Sequence, residues 1–219
     1  MILVPNVSLQ EVFLLLERAI ELNDRLLTWT RSLPGDWKFV ATDKFEIPTG
    51  YPKHHFVYQD RIDVYSDLFI ATTWNSYRVT RLRVLTITLS CVAKLPEPLT
   101  DALRSQVLVA RGSLQELVDD ICGSVPFHLG TKICPGTDDR PSVEYPYITR
   151  KVGQELRRSC AGLGGWELIE PHYEPLKNAL MVESLRAGQK EWIIEQLSRI
   201  GRLYALPPSP RTNPKQQGN

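Results

Sequence analysis

The chain has 219 residues, of which 42% are hydrophobic and 23% charged, with a formal net charge of +1. A chain of this length buries a substantial core without covalent staples. The near-neutral balance argues against a free-standing DNA-binding domain and against a membrane-surface patch, both of which need a strong excess of basic residues. No apolar run approaches the roughly 20 residues that span a bilayer. Met1-Ile2-Leu3-Val4-Pro5 is not a secretory leader, because no basic stretch precedes a long apolar one. The expectation is a soluble, intracellular protein.

In chain order, Ser8-Leu9-Gln10-Glu11 reads as a capping box, in which Ser8 and Glu11 satisfy each other's free amides. Val12, Leu15, Leu16, Ala19, Leu22, Leu26 and Trp29 follow at helical spacing, and Leu33-Pro34-Gly35-Asp36 ends that helix. Between Trp37 and about Arg61 no period survives. Pro48, Gly50 and Pro52 break the backbone there, while Tyr51, Phe56 and Tyr58 give an ordered loop its apolar anchors.

A long helix is predicted from about Asp67 to Val92. Ile70, Trp74, Tyr77 or Arg78, Arg81 or Leu82, Leu85, Leu89 and Val92 recur by threes and fours. Its β-branched run (Val79, Thr80, Val84, Thr86, Ile87, Thr88) suits a strand on propensity, but the helical spacing persists for more than twenty residues. Pro96 and Pro98 end it. Thr100 caps a third helix carrying Leu103, Val107, Leu108, Leu114, Leu117, Val118 and Ile121, with Gly112 as a point of bending. Gly123, Pro126 and Gly130 are expected to close it.

Residues 131–146 read as an exposed connection. A helix with a basic outer face (Arg150, Lys151, Arg157, Arg158) is predicted over Tyr147–Leu163. Gly162, Gly164 and Gly165 frame a tight passage into Trp166. A last helix, from about Leu185 to Leu203, places Trp192 or Ile193, Leu197, Ile200 and Tyr204 on one side. The predicted fold is all-α, an irregular helical bundle with long ordered loops. It occupies residues 1–206, ahead of a disordered polar tail at 207–219.

The chemistry-bearing residues read as architecture. Arg78 and Arg81 lie on the apolar stripe, and a guanidinium stays charged at cellular pH, so each needs a partner once buried. Asp67, Glu116, Asp119 and Asp120 are the candidate carboxylates. Pairing outweighs a phosphate or other anionic ligand, and Arg81→Ala is expected to harm folding far more than Arg83→Ala. Asp119-Asp120 precedes Ile121-Cys122 near the expected helix C-terminus, where negative charge is unfavourable without a basic partner.

Cys91, Cys122, Cys134 and Cys160 form no C-x-x-C pair and read as reduced thiols. The adjacent His54 and His55 have no companion ligand at metal spacing. Cys122, His128 and Cys134 lack a fourth ligand and a standard gap. Gly162-Leu163-Gly164-Gly165 is followed by Trp166 and not by the Lys-Ser/Thr of a phosphate loop. No catalytic residues, cofactor site or metal site are assigned. The expected core set is Trp74, Asn75, Arg78, Arg81, Asp119, Asp120, Trp166 and Trp192.

Three segments together resemble one family. Trp74-Asn75-Ser76-Tyr77-Arg78-Val79-Thr80-Arg81 is similar to a W-N-x-Y-R-x-x-R helix. Asp119 to Gly130 resembles a D-I-C-x-S-V-P-F-x-L-G segment. Gly164-Gly165-Trp166-Glu167-Leu168-Ile169-Glu170-Pro171, followed by Trp192 to Gly201, is similar to the closing helices. All occur in this order in the C-terminal regulatory region of fungal zinc-binuclear-cluster transcription factors, and the likeness runs from about Leu9 to Leu206.

Members of that family carry a six-cysteine cluster that reads DNA, whereas this sequence has four scattered cysteines. The resemblance therefore implies a non-enzymatic regulatory or protein-interaction module without its own DNA reader, in the nucleus or cytoplasm. The implied partner is a full-length fungal transcription factor or a second copy of the chain, with no direct contact to nucleic acid or membrane. It further implies a link to a secondary-metabolite gene cluster. Two other readings compete: a truncated remnant exposing apolar surface, and a small natural-product enzyme with a deep polar pocket.

Overall fold

Ser8 Oγ accepts a hydrogen bond from the Glu11 amide, and Glu11 Oε2 accepts one from the Ser8 amide, so α1 (Leu9–Ser32) starts on a complete capping box. The computed structural model describes residues 8–43, 57–129, 164–169 and 174–203. After α1, a short 3-10 turn at Gly35–Trp37 leads into strand β1 (Val40–Thr42), and strand β2 (Ile62–Val64) returns to pair with it. The two strands are antiparallel, with Val40 opposite Val64 and Ala41 opposite Asp63. This sheet corrects the expectation of irregular loop between Trp37 and Arg61. Each strand is only three residues long, too short for an alternating pattern to register.

Helix α2 (Leu68–Val92) begins where Asp67 accepts from the Ile70 amide. Asp67 is therefore a helix cap, occupied locally and not a partner for the arginines. Helix α3 (Asp101–His128) starts on Thr100, which accepts from the Leu103 amide. It runs to His128, so Gly123 and Pro126, two of the three residues expected to close it, lie inside the helix, which ends two residues before the third, Gly130. Packing decides this: every residue from Ile121 to His128 is buried, so tertiary contacts override the helix-breaking tendency of glycine and proline.

Two shorter helices follow, α4 (Pro175–Leu180) and α5 (Gln189–Leu203). Sequence reading missed α4 and began α5 four residues early. The helix expected at Tyr147–Leu163 and the tail at 207–219 lie outside the described residues, as do His54, His55, Cys134 and Cys160.

The architecture of the described residues is mostly helical, with one two-stranded sheet. Helix α2 is the centre, flanked by α1 and α3, while the sheet lies against α3. Its buried set includes Val79 and Val84 as well as the stripe residues Trp74, Leu82 and Leu85, so it is covered on more than one side. Aromatic side chains join the end of α1 to the start of α2. Trp29 packs on Trp74 and Tyr77, with ring centroids 5.9 and 5.4 Å away. At the other end of α1, Val12 and Leu16 meet Cys91, Val92 and Leu95 in a smaller second cluster. Together these contacts make α1 and α2 antiparallel neighbours.

Candidate functional site

The polar centre of the molecule forms where β2, α2 and α3 meet. Arg78 projects from α2 and is fully buried. Its Nη2 donates to Asp63 Oδ2 of β2 at 3.0 Å, and its Nη1 donates to the Tyr65 hydroxyl at 2.6 Å and Asn75 Oδ1 at 3.0 Å. The guanidinium carbon lies 4.9 Å from the Phe39 ring centroid and 5.7 Å from those of Tyr65 and Trp74. Arg78 is thus held by charge, hydrogen bonds and aromatic faces together.

A second arginine closes the arrangement from the surface side. Arg61 Nε and Nη2 bind both oxygens of Asp63, at 2.8 and 3.1 Å, and Nη2 also reaches Asp120 Oδ1 on α3 at 2.7 Å. Arg78 Nε lies 3.9 Å from Asp120 Oδ2, an ion pair too long for a hydrogen bond. Two guanidiniums and two carboxylates therefore balance. Burial opposes the charge on Arg78, but Tyr65, Asp63 and Asp120 outweigh it and hold the guanidinium above its ordinary pKa. Burial likewise pushes the Asp63 carboxyl up, against the pull of Arg78 and Arg61. Gly123 explains how α3 comes so close: a Cβ there would lie 3.2 Å from the Asp63 carboxyl carbon.

Beside this charged node runs a neutral one. Asn75 Nδ2 donates to Ser124 Oγ at 3.0 Å and lies 3.1 Å from His128 Nε2. His128 Nδ1 lies 3.2 Å from the Gly164 carbonyl oxygen. These partners assign the proton to Nδ1, leaving Nε2 to accept from Asn75. Burial holds His128 well below its usual range, at about 3. A charged ring would place a second N–H against the Asn75 amide.

A third group sits on the adjacent turn of α3. Asp119 accepts from Arg186 Nη2 at 2.8 Å, Gln189 Nε2 at 2.8 Å and Gln115 Nε2 at 2.9 Å. It fastens the start of α5 and the segment before it to α3. Cys122 is buried beneath Gln189, and burial pushes its thiol up, the opposite of an activated nucleophile. Among the described residues, no group of His, Cys, Asp and Glu is arranged to hold a metal ion.

The expected core set divides. Trp74, Asn75, Arg78 and Trp192 are buried. Asp119 and Asp120 are half-buried and lie two turns inside α3, not near its end. Asp120 meets Arg78, whereas Asp119 serves Arg186. Two assignments need correction. Arg81 is half-buried and bonds the neutral Asn23 and Tyr77, at 3.0 and 3.3 Å, because α1 supplies an amide there and no carboxylate. Trp166 is 39% exposed; from that short helical turn it is Leu168 that is fully buried.

Arg83 likewise bonds a neutral amide, Asn178 at 3.1 Å, so the expected gulf between Arg81→Ala and Arg83→Ala narrows. Asp63, Arg61, Tyr65 and Ser124 were missed. The cue for the first three was their closeness in sequence to Asp67, and for Ser124 its place in the D-I-C-x-S-V-P-F-x-L-G segment.

Among the described residues, no helix is long and apolar enough to cross a membrane. No family model and no solved structure matches the chain. Over 217 residues it is 23% identical to a protein of Emericella nidulans named transcription factor dbaG. The alignment takes in 94% of this chain, which spans 47% of that relative's length.

Proposed function

We propose that the chain is a non-enzymatic regulatory module of transcriptional control that works through contacts with other proteins. The observation that carries this reading is the similarity to a transcription factor along 94% of the chain. The geometry is in keeping with it. Arg78, Asp63, Tyr65 and His128 are at most 1% exposed and bond to one another or to their neighbours, which specifies helix register. The finer reading, taken from the resemblance of the three motifs, is a nuclear protein of fungal zinc-cluster type that regulates a biosynthetic gene cluster.

The test joins the whole chain to a heterologous DNA-binding domain above a reporter gene in a filamentous fungus. A regulatory module changes reporter transcription relative to the DNA-binding domain alone. A fusion that reaches the nucleus intact and leaves transcription unchanged overturns the proposal. Deletion of the native gene, followed by transcript profiling, checks the finer reading. A contiguous block of biosynthetic genes should shift together, and an unaltered profile contradicts it.

A further inference from the structure

Just before β2 the chain turns through two consecutive residues in the left-handed region, Gln59 at φ 50° and Asp60 at φ 57°. The Arg61 amide donates to the Tyr58 carbonyl oxygen at 3.2 Å and closes the turn. Positive φ at both central positions makes it type I′, which Asn and Gly fit best. Aspartate tolerates the left-handed region, glutamine much less so, and Gln59 is the strained member. Such strain lasts only where the surroundings hold the backbone in place.

The two ends of this turn are held by different nodes. Tyr58 packs on Trp192 of α5, with ring centroids 5.5 Å apart. Its hydroxyl also feels the Asp119 group: burial pushes its pKa up, Cys122 and Asp119 add to the rise, and Arg186 opposes it. Arg61, at the other end, binds Asp63 through Nε and Nη2 and Asp120 through Nη2. Val57 and Ile62, immediately outside the turn, are at most 2% exposed, whereas Gln59 and Asp60 are exposed. One end of the turn thus serves the node of Asp119 and the other that of Asp120, its neighbour on α3.

We infer that the turn at 58–61 is a strap that couples the docking of α5 to the buried ion pair between β2 and α2. Freeing one end lets the turn relax, and the relaxation withdraws the other end from its node. A pull on α5 is thereby carried to the centre of the molecule. The inference does not rest on the regulatory reading, and the two fail separately.

Amide hydrogen exchange of the full chain tests it, with α1 as the internal reference. Arg61 makes no hydrogen bond or ion pair to α5, yet Arg61→Gln should speed exchange across α5 at least fivefold relative to α1. Trp192→Leu should speed exchange of the β2 amides by a similar factor, because coupling is reciprocal. Gln59→Gly/Asp60→Gly removes the strain and keeps the turn, since glycine takes positive φ freely. In that background Arg61→Gln should change α5 less than twofold. A rise confined to β2 and the turn after Arg61→Gln overturns the inference. So does a rise shared equally by α1, or an α5 response that survives the two glycine substitutions. The Arg61 series decides alone if Trp192→Leu does not fold.

Discussion

Arg78 and Arg81 stand one turn apart on the same helix, satisfy the same apolar spacing, and have different fates. Arg78 is sealed between β2 and α3, where Asp63 and Asp120 supply charge and Tyr65 and Asn75 supply oxygen. Arg81 turns toward α1, where it bonds the amide of Asn23, and also reaches the hydroxyl of Tyr77 on its own helix. Helical period placed both near the interior, and the neighbouring element then decided the chemistry. Asp119 and Asp120 repeat the lesson on α3. Adjacent in sequence, they point into different neighbourhoods, one toward Arg186 and the other toward Arg61.

The sharpest way to break this contrast is to truncate the two arginines separately. Arg78→Ala leaves Asp63 buried with half its charge partners gone, and should cost about 3–5 kcal/mol. Arg81→Ala removes two bonds to neutral groups at a half-buried site and should cost roughly 1 kcal/mol. Urea denaturation of both variants measures the difference; equal losses would erase the distinction.

The neutral node makes its own prediction through pH. Burial holds the folded His128 at about 3 against an ordinary imidazole value of 6.5, so below pH 6.5 the unfolded chain binds a proton that the folded chain refuses. The stability that His128 contributes is complete above pH 6.5 and is lost as pH falls from there toward 3. The slope approaches about 1.4 kcal/mol per pH unit below the unfolded pKa, so roughly 2 kcal/mol is lost between pH 6.5 and 4.5. His128→Gln removes this component, so the variant should lose correspondingly less on acidification. A variant that tracks the wild type would show that His128 does not titrate this way.

Gly123→Ala comes next. Its Cβ would press on a carboxylate that two arginines hold in place, and a loss of about 1–3 kcal/mol is expected. Gly112 on the same helix has nothing within 4 Å of the corresponding position. Gly112→Ala should therefore stabilise by roughly 0.5–1 kcal/mol through helix propensity alone. Thermal melts of the pair should move in opposite directions. The smallest effect belongs to Arg186→Ala, because that guanidinium is half exposed and surface ion pairs contribute little. A drop in melting temperature as large as that for Arg78→Ala would show the outer node to matter as much as the inner one.

What was legible in the sequence was local. Ser8 with Glu11, and Thr100, announce their helices because a cap and its target lie three residues apart. Asp67 marks the start of α2 correctly, but of its two expected roles it fills only this one, accepting from the Ile70 amide. The candidate site was legible only in part. Arg78 carried a signal, since a charge on an apolar stripe demands an answer, but the answer lay on β2. Asp63 sits in a strand too short to show a pattern, and it pairs across a sheet whose other strand is about twenty residues away. Gly123 looked like a stop because composition cannot reveal that the Asp63 carboxylate needs the space of its missing side chain.

A double-mutant cycle on Asp63 and Arg78 tests the buried pair at the centre of this structure most directly. Arg78→Met and Asp63→Leu should each cost about 3–5 kcal/mol, since each strands a charge in the interior. The double variant should lose less than the sum by more than about 2 kcal/mol, because the stranded charges vanish together. Losses that add to within about 0.5 kcal/mol would mean that the two residues act independently, and that no buried ion pair holds β2 to α2.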